Sequence, residues 1–417
     1  MRLLIALLLP AIALAQAVPE TLTLELALQL AAENRAESVA ADYSVEAQQH
    51  AVRQADRAPN PVLLIQTENW RPWGAFRAST DLDAFVSVSQ RVELSGKRRF
   101  RTEAAQAETG IARAERDLLR WHIASQVTTT WWAALRAQEE AALIEESLQA
   151  VEDLVRYHEV RWREGEGAEM DLIKVRVELE KERRRLVESE ITERSAKRAM
   201  SAEIGTPMPS TVRLVRPSSD GDDDPQVTVA SAISQRPDLR LLQARAVRDE
   251  ARTEVERSSA VADLTPYIGY KRSNGFNTLI GGVTIPLNFR DRNKGAVAQA
   301  VAQAGRQRQL VRAMEIRVRS EVEAALAERD SRRDAVQSLS SLIDDATEAH
   351  DVALAAYREG GVELLYVIDS QRTHNETKLL GLQVDFDYQL SRAEVQRVSG
   401  IAPRFFVSTN GSTEGAR

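Results

Sequence analysis

The chain repeats itself at a fixed distance. Arg163-Glu164-Gly165 returns as Arg358-Glu359-Gly360, 195 residues later, and the basic cluster Lys97-Arg98-Arg99 returns at the same offset as Arg292-Asn293-Lys294. Gly205 and Gly400 keep that distance too. One offset shared by several landmarks marks an internal duplication, which restricts the fold to two copies of one supersecondary unit. In the first copy the run 97–162 holds no proline and a single glycine, Gly110. At ~1.5 Å per residue such a run makes a helical rod of roughly 100 Å.

The rods carry a seam. Ala104, Ala107, Ile111, Ala114, Leu118 and Trp121 are spaced three and four apart, and Ile144, Leu148, Val151, Val155, His158 and Trp162 resume the spacing in a shifted phase. Val336, Leu339, Ile343, Ala346, His350, Ala353 and Tyr357 do the same in the second copy. This is a coiled-coil period, with Ala at many seam positions permitting close helix approach. Gly165 with Gly167, and Gly360 with Gly361, break the runs. Helices 169–204 and 362–399 then return, so the glycine turns are expected at the tips of two helical hairpins.

Ahead of each rod lies a shorter helix and a pair of strands. The first helix is expected over 21–57 and stops at Pro59-Asn60-Pro61. Strands are expected at 62–70 and 84–92, with Val86, Val88 and Val92 on one face and Ser87, Ser89 and Arg91 on the other. The second copy offers a helix over 227–260, strands at 267–272 and 277–287, and a rod over 292–358. Leu279, Val283 and Ile285 there oppose Thr278, Gly282 and Thr284. The repeats are thus 18–208 and 226–401, joined by a polar linker, 209–225. Its aspartates, Asp220 and Asp222 to Asp224, lack the spacing and closing Glu of a calcium loop. Residues 402–417 form a Ser/Thr/Gly-rich tail expected to be disordered. The expected class is mainly α with a small β part: helix–strand–strand–long helix–helix, twice. Four strands cannot close a barrel and leave their edges open. Association solves both problems, and three protomers would supply twelve strands.

Composition narrows the function. Aromatics are 5% and charged residues 28%, a balance that favours long helices over a compact mixed domain. A net charge of −7 argues against nucleic acid as a partner. The absence of cysteine excludes disulfides, thiolate metal sites and a lipid-bearing thiol. Arg2 precedes an apolar run, Leu3 to Leu14, that ends in small residues. That is the layout of a cleaved secretory signal over 1–17, too short to span a bilayer. Nothing later reaches the ~18 apolar residues of a membrane helix. An exported chain of this kind that crosses a membrane must do so as a barrel.

Several stretches together carry a family resemblance. They are Leu24-Glu25-Leu26-Ala27-Leu28, Arg57-Ala58-Pro59-Asn60-Pro61, and Gln90-Arg91-Val92-Glu93-Leu94-Ser95-Gly96-Lys97-Arg98 in the first copy. In the second they are Gln235-Arg236-Pro237-Asp238-Leu239, Ile285-Pro286-Leu287 and Tyr357-Arg358-Glu359-Gly360. With the duplication, they make the mature chain resemble the TolC-like outer-membrane efflux factors. The Glu-Leu-x-Gly-Lys-Arg stretch tilts the resemblance toward the branch that exports heavy-metal cations (CzcC- and CusC-like). The resemblance implies a homotrimer in the outer membrane of a Gram-negative bacterium, with a twelve-stranded barrel continued by a periplasmic α-helical barrel. It implies a passive exit duct served by a periplasmic adaptor and an inner-membrane RND-type pump. Arg163, Glu164, Gly165, Gly167, Arg358, Glu359, Gly360 and Gly361 would form the periplasmic tip where the adaptor docks. Acidic residues ring the closed aperture in the family. Asp369 matches one such position, whereas the neighbouring one, a helical turn earlier, is Tyr366 here.

No catalytic constellation is present, and neither an enzyme activity nor a cofactor is expected. His50, His122, His158, His350 and His374 stand singly on helices without zinc-site spacing, so each is expected as a helix-face residue and no metal site is assigned. Lys97, Arg98 and Arg99, with Arg290, Arg292 and Lys294, sit where a helix dipole disfavours cations. Anionic lipid head groups at a barrel rim would attract them, and a solvated helix start is the alternative. Trp70, Trp73, Phe85, Tyr267, Tyr270 and Phe276 could form an interfacial aromatic girdle. Two other readings stay open: a duct for drugs or type I secreted polypeptides, and an exported coiled-coil structural or adhesion protein. The strand pairs speak against the last.

Overall fold

The computed structural model describes residues 19–69, 82–217 and 227–400. The expected leader, most of the loop between the first two strands, the aspartate run and the tail lie outside the described residues, as do Trp70 and Trp73. The chain is mainly helical with a small share of strand. In chain order the elements are β1 (Thr21–Leu22), α1 (Leu24–Asn34), α2 (Ala36–Ala55), β2 (Val62–Glu68) and β3 (Asp83–Ser89). Then come α3 (Lys97–Arg163), α4 (Glu169–Ile204), β4 (Arg213–Leu214), α5 (Val229–Gln235) and α6 (Pro237–Ser259). β5 (Thr265–Ser273), β6 (Phe276–Thr284), α7 (Lys294–Arg358) and α8 (Leu364–Ser399) complete it.

Two of the expected helices are broken. The span 21–57 splits at Arg35, which is extended at φ −71° and ψ 114°. The span 227–260 splits at Arg236, extended at φ −60° and ψ 123°. Pro237 accounts for the second break, because it disfavours helical backbone in the residue before it. The first has no proline, and its cause is tertiary. A Cβ on Gly205 would lie 3.1 Å from the Asn34 carbonyl, and the Arg35 guanidinium is 2.6 Å from Glu203. The second copy does likewise: a Cβ on Gly400 would lie 2.6 Å from the Arg236 nitrogen. Each returning helix thus ends in a left-handed glycine, φ 71° and 75°, set backbone to backbone on a helix break.

The linker is also more than a connector. Its residues 213–214 form β4, parallel to β1, with Leu22 opposite Leu214. Gln138 of α3 donates to the Leu214 carbonyl and accepts from its N–H, both at 2.9 Å. A two-residue strand has no pattern to read; this clamp, the buried Leu22 and Leu214, and backbone bonds from Arg213 to Glu20 and from Val215 to Leu22 hold it.

The chain divides into two compact units. One comprises residues up to 38, 119–236 and from 318 on. Its main core gathers Leu22, Leu28 and Ala31 with Ile123, Val127, Trp131, Trp132, Leu135, Met200, Ile204 and Phe386. Trp132 meets the rings of Trp131 and Phe386 edge-on, at 4.9 and 5.8 Å. A second cluster joins Val151 and Val155 to Leu172, Val175, Leu179, Tyr357, Leu364 and Val367. The seam read from the sequence runs through it, except that Trp162 is 48% exposed. The other unit comprises 39–118 and 237–317. Its helices bury small residues such as Ala112, Ala300 and Ala304 and are joined by ion pairs such as Arg252 with Glu108 at 2.9 Å.

Candidate functional site

The sheet of the second unit is antiparallel in the order β2-β3-β5-β6. Its strand ends differ from expectation by a few residues. β3 stops at Ser89, with Val92 making only an isolated bridge to Leu264, and β6 stops at Thr284, short of Ile285. The register places Leu63 opposite Val88, Ile65 opposite Val86, Val86 opposite Tyr270, Val88 opposite Ile268 and Tyr270 opposite Leu279. Partners in a ladder share a face, and side chains alternate along each strand. One face therefore carries Leu63, Ile65, Val86, Val88, Ile268, Tyr270, Leu279 and Val283. All eight are exposed, Leu279 at 79%. The opposite face is mixed, carrying Gln66, Ser87, Ser89, Lys271 and Thr278 together with Val62, Leu64 and Ile280. Water on both sides would leave a contiguous apolar face uncovered, which marks a lipid or partner surface.

This alternation corrects the aromatic girdle. Phe85 and Tyr267 belong to the polar face with Ser87 and Thr278, and Phe276 sits at the hairpin end of β6. Of the described aromatics in that group, only Tyr270 lies among the apolar side chains. Tyr267 covers Gly282, where an added Cβ would be 2.6 Å from its hydroxyl. β2 and β6 are the outer strands, each paired on one side only.

The tips are two copies of one device. In the first, Gly165 N–H donates to Trp162 O at 3.1 Å and Glu166 N–H to Arg161 O at 2.9 Å. In the second, Gly360 N–H donates to Tyr357 O at 3.0 Å and Gly361 N–H to Ala356 O at 2.8 Å. This is the Schellman closure of a helix C-terminus, which needs a left-handed residue. Gly165 and Gly360 supply it, both at φ 79°. The Arg-Glu-Gly triplet is thus last turn, cap and left-handed residue. Arg163, Glu164, Arg358 and Glu359 are all exposed. Gly167 is half-buried, with Trp162 N 3.0 Å from where its Cβ would stand.

Asp369 is exposed on the second turn of α8, three residues beyond Tyr366, which is 64% exposed. It borders a groove of about 410 Å³ whose lining includes Val175, Glu178, Lys181 and Arg372. The Arg372 guanidinium feels its charge, so Asp369 does not stand in a purely acidic setting.

The basic clusters resolve unequally. Lys97 is 2.7 Å from Asp263, with both side chains about one-sixth exposed, and Arg98 is 3.6 Å from Asp56. Arg99 lies over the Phe100 ring at 4.5 Å. Internal acids therefore offset the dipole penalty at the start of α3, and Lys97 needs no outside attraction. Arg290, Arg292 and Lys294 are exposed. Sequence reading missed the residue that organises the first cluster, Arg101. It bonds Glu93 at 2.6 Å and caps the end of α2 by donating to the Ala55 and Arg57 carbonyls. The Glu-Leu-x-Gly-Lys-Arg stretch is a staple between strand exit and helix start, with Ser95 and Gly96 both left-handed at φ 58° and 72°.

Three histidines are not single helix-face residues. His158 Nε2 lies 3.1 Å from the Tyr357 hydroxyl, with the two rings stacked. The rings of His350 and His374 are 5.3 Å apart. Burial holds all three imidazoles below the ordinary histidine range. The signal was present in the seams, where His158 and His350 occupy apolar positions. Among the described residues no group of three or more His, Cys, Asp or Glu is placed to hold a metal ion. No described helix is long and apolar enough to cross a membrane.

Residues 27–206 match the family of outer membrane efflux proteins. The cobalt-zinc-cadmium resistance protein CzcC of Cupriavidus metallidurans is 28% identical over 377 residues, covering 87% of this chain and 86% of that protein. Among solved structures, CusC superposes with a TM-score of 0.74 at 17% identity, over 90% of this chain and 92% of that one. The CmeC outer membrane channel of Campylobacter jejuni superposes with a TM-score of 0.72 at 15% identity, over 90% and 85%. The resemblance read from the sequence is borne out.

Proposed function

We propose that this outer-membrane efflux protein is the exit duct of a tripartite export system and that its cargo is heavy-metal cations. One observation carries the channel reading: a four-stranded sheet with one exposed apolar face, a second face that holds its polar side chains, and two unpaired edges. A bilayer accepts strands only in a closed barrel, since every backbone N–H and C=O there must be paired. Three copies of four strands close it, with Leu63, Ile65, Ile268 and Leu279 toward lipid and Gln66, Lys271 and Thr278 toward a polar lumen. The helical hairpins would continue the barrel as a periplasmic tunnel. The exposed Arg-Glu-Gly tips would meet a periplasmic adaptor, and through it an inner-membrane pump. The metal cargo rests on the likeness to CzcC, a resistance protein for cobalt, zinc and cadmium.

A carboxylate repeated around a three-fold axis repels its own copies and draws cations. Asp369, with Tyr366 a turn before it, is the residue we assign to the aperture. Arg290, Arg292 and Lys294 are the cations left to meet anionic head groups.

Two experiments test this reading. Purified protein in planar bilayers should give discrete cation-permeable steps, and Asp369→Ala should raise their conductance. Unchanged conductance and unchanged block by divalent cations would remove Asp369 from the aperture, and the absence of any step would sink the channel itself. A deletion strain should become sensitive to cobalt, zinc or cadmium. Sensitivity to drugs alone would reassign the cargo.

A further inference from the structure

The strand exits of the two copies have opposite fates. After β3, Val92 N–H donates to Leu264 O at 2.7 Å and Leu94 N–H to Asp263 Oδ1 at 3.2 Å, so the chain is stitched to the segment before β5. The cations that follow are answered from within, Lys97 by Asp263 and Arg98 by Asp56. After β6, 195 residues on, Leu287 and Phe289 stand where Val92 and Leu94 stood. Leu287 is 76% exposed and Phe289 69%. With the exposed Ile285 they continue the outward period of Leu279 and Val283 past the end of β6. Pro286 keeps Ile285 extended. Asn288, between the two, turns the other way and donates to the Ala260 carbonyl at 3.1 Å, just past the end of α6. Asn293 fastens the far end, donating to the Glu256 carbonyl and carboxylate at 2.9 and 2.7 Å. The result is a strap pinned by its asparagines, with its apolar side chains left outside.

We infer that residues 285–294 are a binding site for anionic phospholipid at the helix-side rim of the barrel. Leu287 and Phe289 lie against acyl chains, and Arg290, Arg292 and Lys294 hold the phosphate. Among the described residues none of these three exposed cations makes an ion pair. The acid between them, Asp291, accepts the Asn293 N–H at 2.9 Å, and the run 290–294 keeps two positive charges in excess. Continuity argues for lipid over a protein partner. The strap prolongs the sheet face that the bilayer covers, so it begins where the hydrocarbon ends. An aromatic ring at that level, with cations one residue further on, suits the boundary between acyl chains and head groups. Long basic side chains reach the phosphates while their stems stay in the apolar layer. The inference rests on the barrel reading. The first copy, stitched shut, has no such strap, so each chain holds lipid at one of its two strand exits.

The full chain, reconstituted in phosphatidylcholine vesicles, tests this with spin-labelled lipids. Phosphatidylglycerol should associate at least about fivefold more strongly than phosphatidylcholine, the pull of one cation on an anionic surface. Arg290→Gln/Arg292→Gln/Lys294→Gln should lose the preference, and Arg290→Lys/Arg292→Lys should keep it. Arg98→Gln/Arg99→Gln, in the closed copy, should leave it unchanged. A preference that survives the triple variant, or none in the unaltered chain, would overturn the site. The apolar half is read separately, since the chain has no cysteine of its own. A nitroxide on Leu287→Cys or Phe289→Cys should be relaxed by oxygen and shielded from a water-soluble nickel chelate. Labels open to nickel would put the strap in water, and labels shielded from both reagents would give it to a protein neighbour. Either result refutes lipid there. Protein that inserts and conducts yet gives such a result loses the strap and keeps the channel; protein that never inserts loses both.

Discussion

Leu279 and Val175 are both branched aliphatic residues on regular elements, yet Leu279 is 79% exposed and Val175 is fully buried. The difference runs through the two units. In the helical unit large apolar side chains gather around Trp131 in one cluster and Val175 in the other, while Trp162, Ile173, Val177 and Ile191 stay exposed. In the sheet a whole face of them points away from the protein. At about 25 cal/mol per Å², such a face is a standing cost in water and a gain in lipid. The helical unit buries part of a stripe spaced three and four apart, whereas the sheet leaves one side of a two-residue alternation uncovered.

The sharpest way to break this comparison is to exchange insults between the regions. Trp131→Ala should cost about 3–5 kcal/mol of unfolding free energy in detergent, because it empties the main core. Leu279→Arg should leave the detergent-solubilised fold intact but cost about 2–4 kcal/mol of insertion, read by flotation with liposomes. Thr278→Arg, one residue away on the other face, should insert normally. Equal insertion defects at both positions would mean that the faces are not distinct.

A smaller effect is expected at the tips. Gly165→Ala and Gly360→Ala should each cost about 1–2 kcal/mol by denaturant titration, since a Cβ has open space at both and only the left-handed backbone resists it. Clearly unequal costs would separate two turns that the hydrogen bonds make equivalent.

The smallest effect is on pH. His158, His350 and His374 have lowered pKa values, so on acidification the unfolded chain takes up protons before the folded one. Stability contributed by these groups is intact above the ordinary histidine value of about 6.5 and is lost as pH falls through it. Thermal unfolding at pH 7.5 and 5.5 should show a drop that His158→Gln diminishes. The membrane strands carry no histidine, so insertion should not follow the same curve.

What could be read in advance was local. The valines of β3 and the aliphatics of β6 declare a two-residue period within one strand, and Gly165, Gly205, Gly360 and Gly400 announce left-handed helix ends. What could not be read depends on the register between distant segments. Nothing near Arg35 forbids a helix, and the break follows from the approach of Gly205. β1 and β4 are two residues each, held by their mutual backbone bonds and by Gln138 on Leu214. His350 and His374 are 24 residues apart on different helices, so only the packing of α7 on α8 brings their rings together. The staple of Arg101 on Glu93 and the end of α2 was hidden for the same reason, although its motif was in plain view. Phe85 is the exception. Its place between Ala84 and Val86 already set it on the polar face.

The central claim is that β2 and β6 are edges only in a lone chain and pair with each other between copies. The chain has no cysteine, so one can be introduced on each edge, Leu64→Cys and Ile280→Cys, without background. Short bismaleimide crosslinking of the double variant in outer membranes should give a ladder that ends at a covalent trimer, and each single variant should give none. A ladder that ends at the dimer, or crosslinks confined within one chain, would contradict closure of the barrel by three copies.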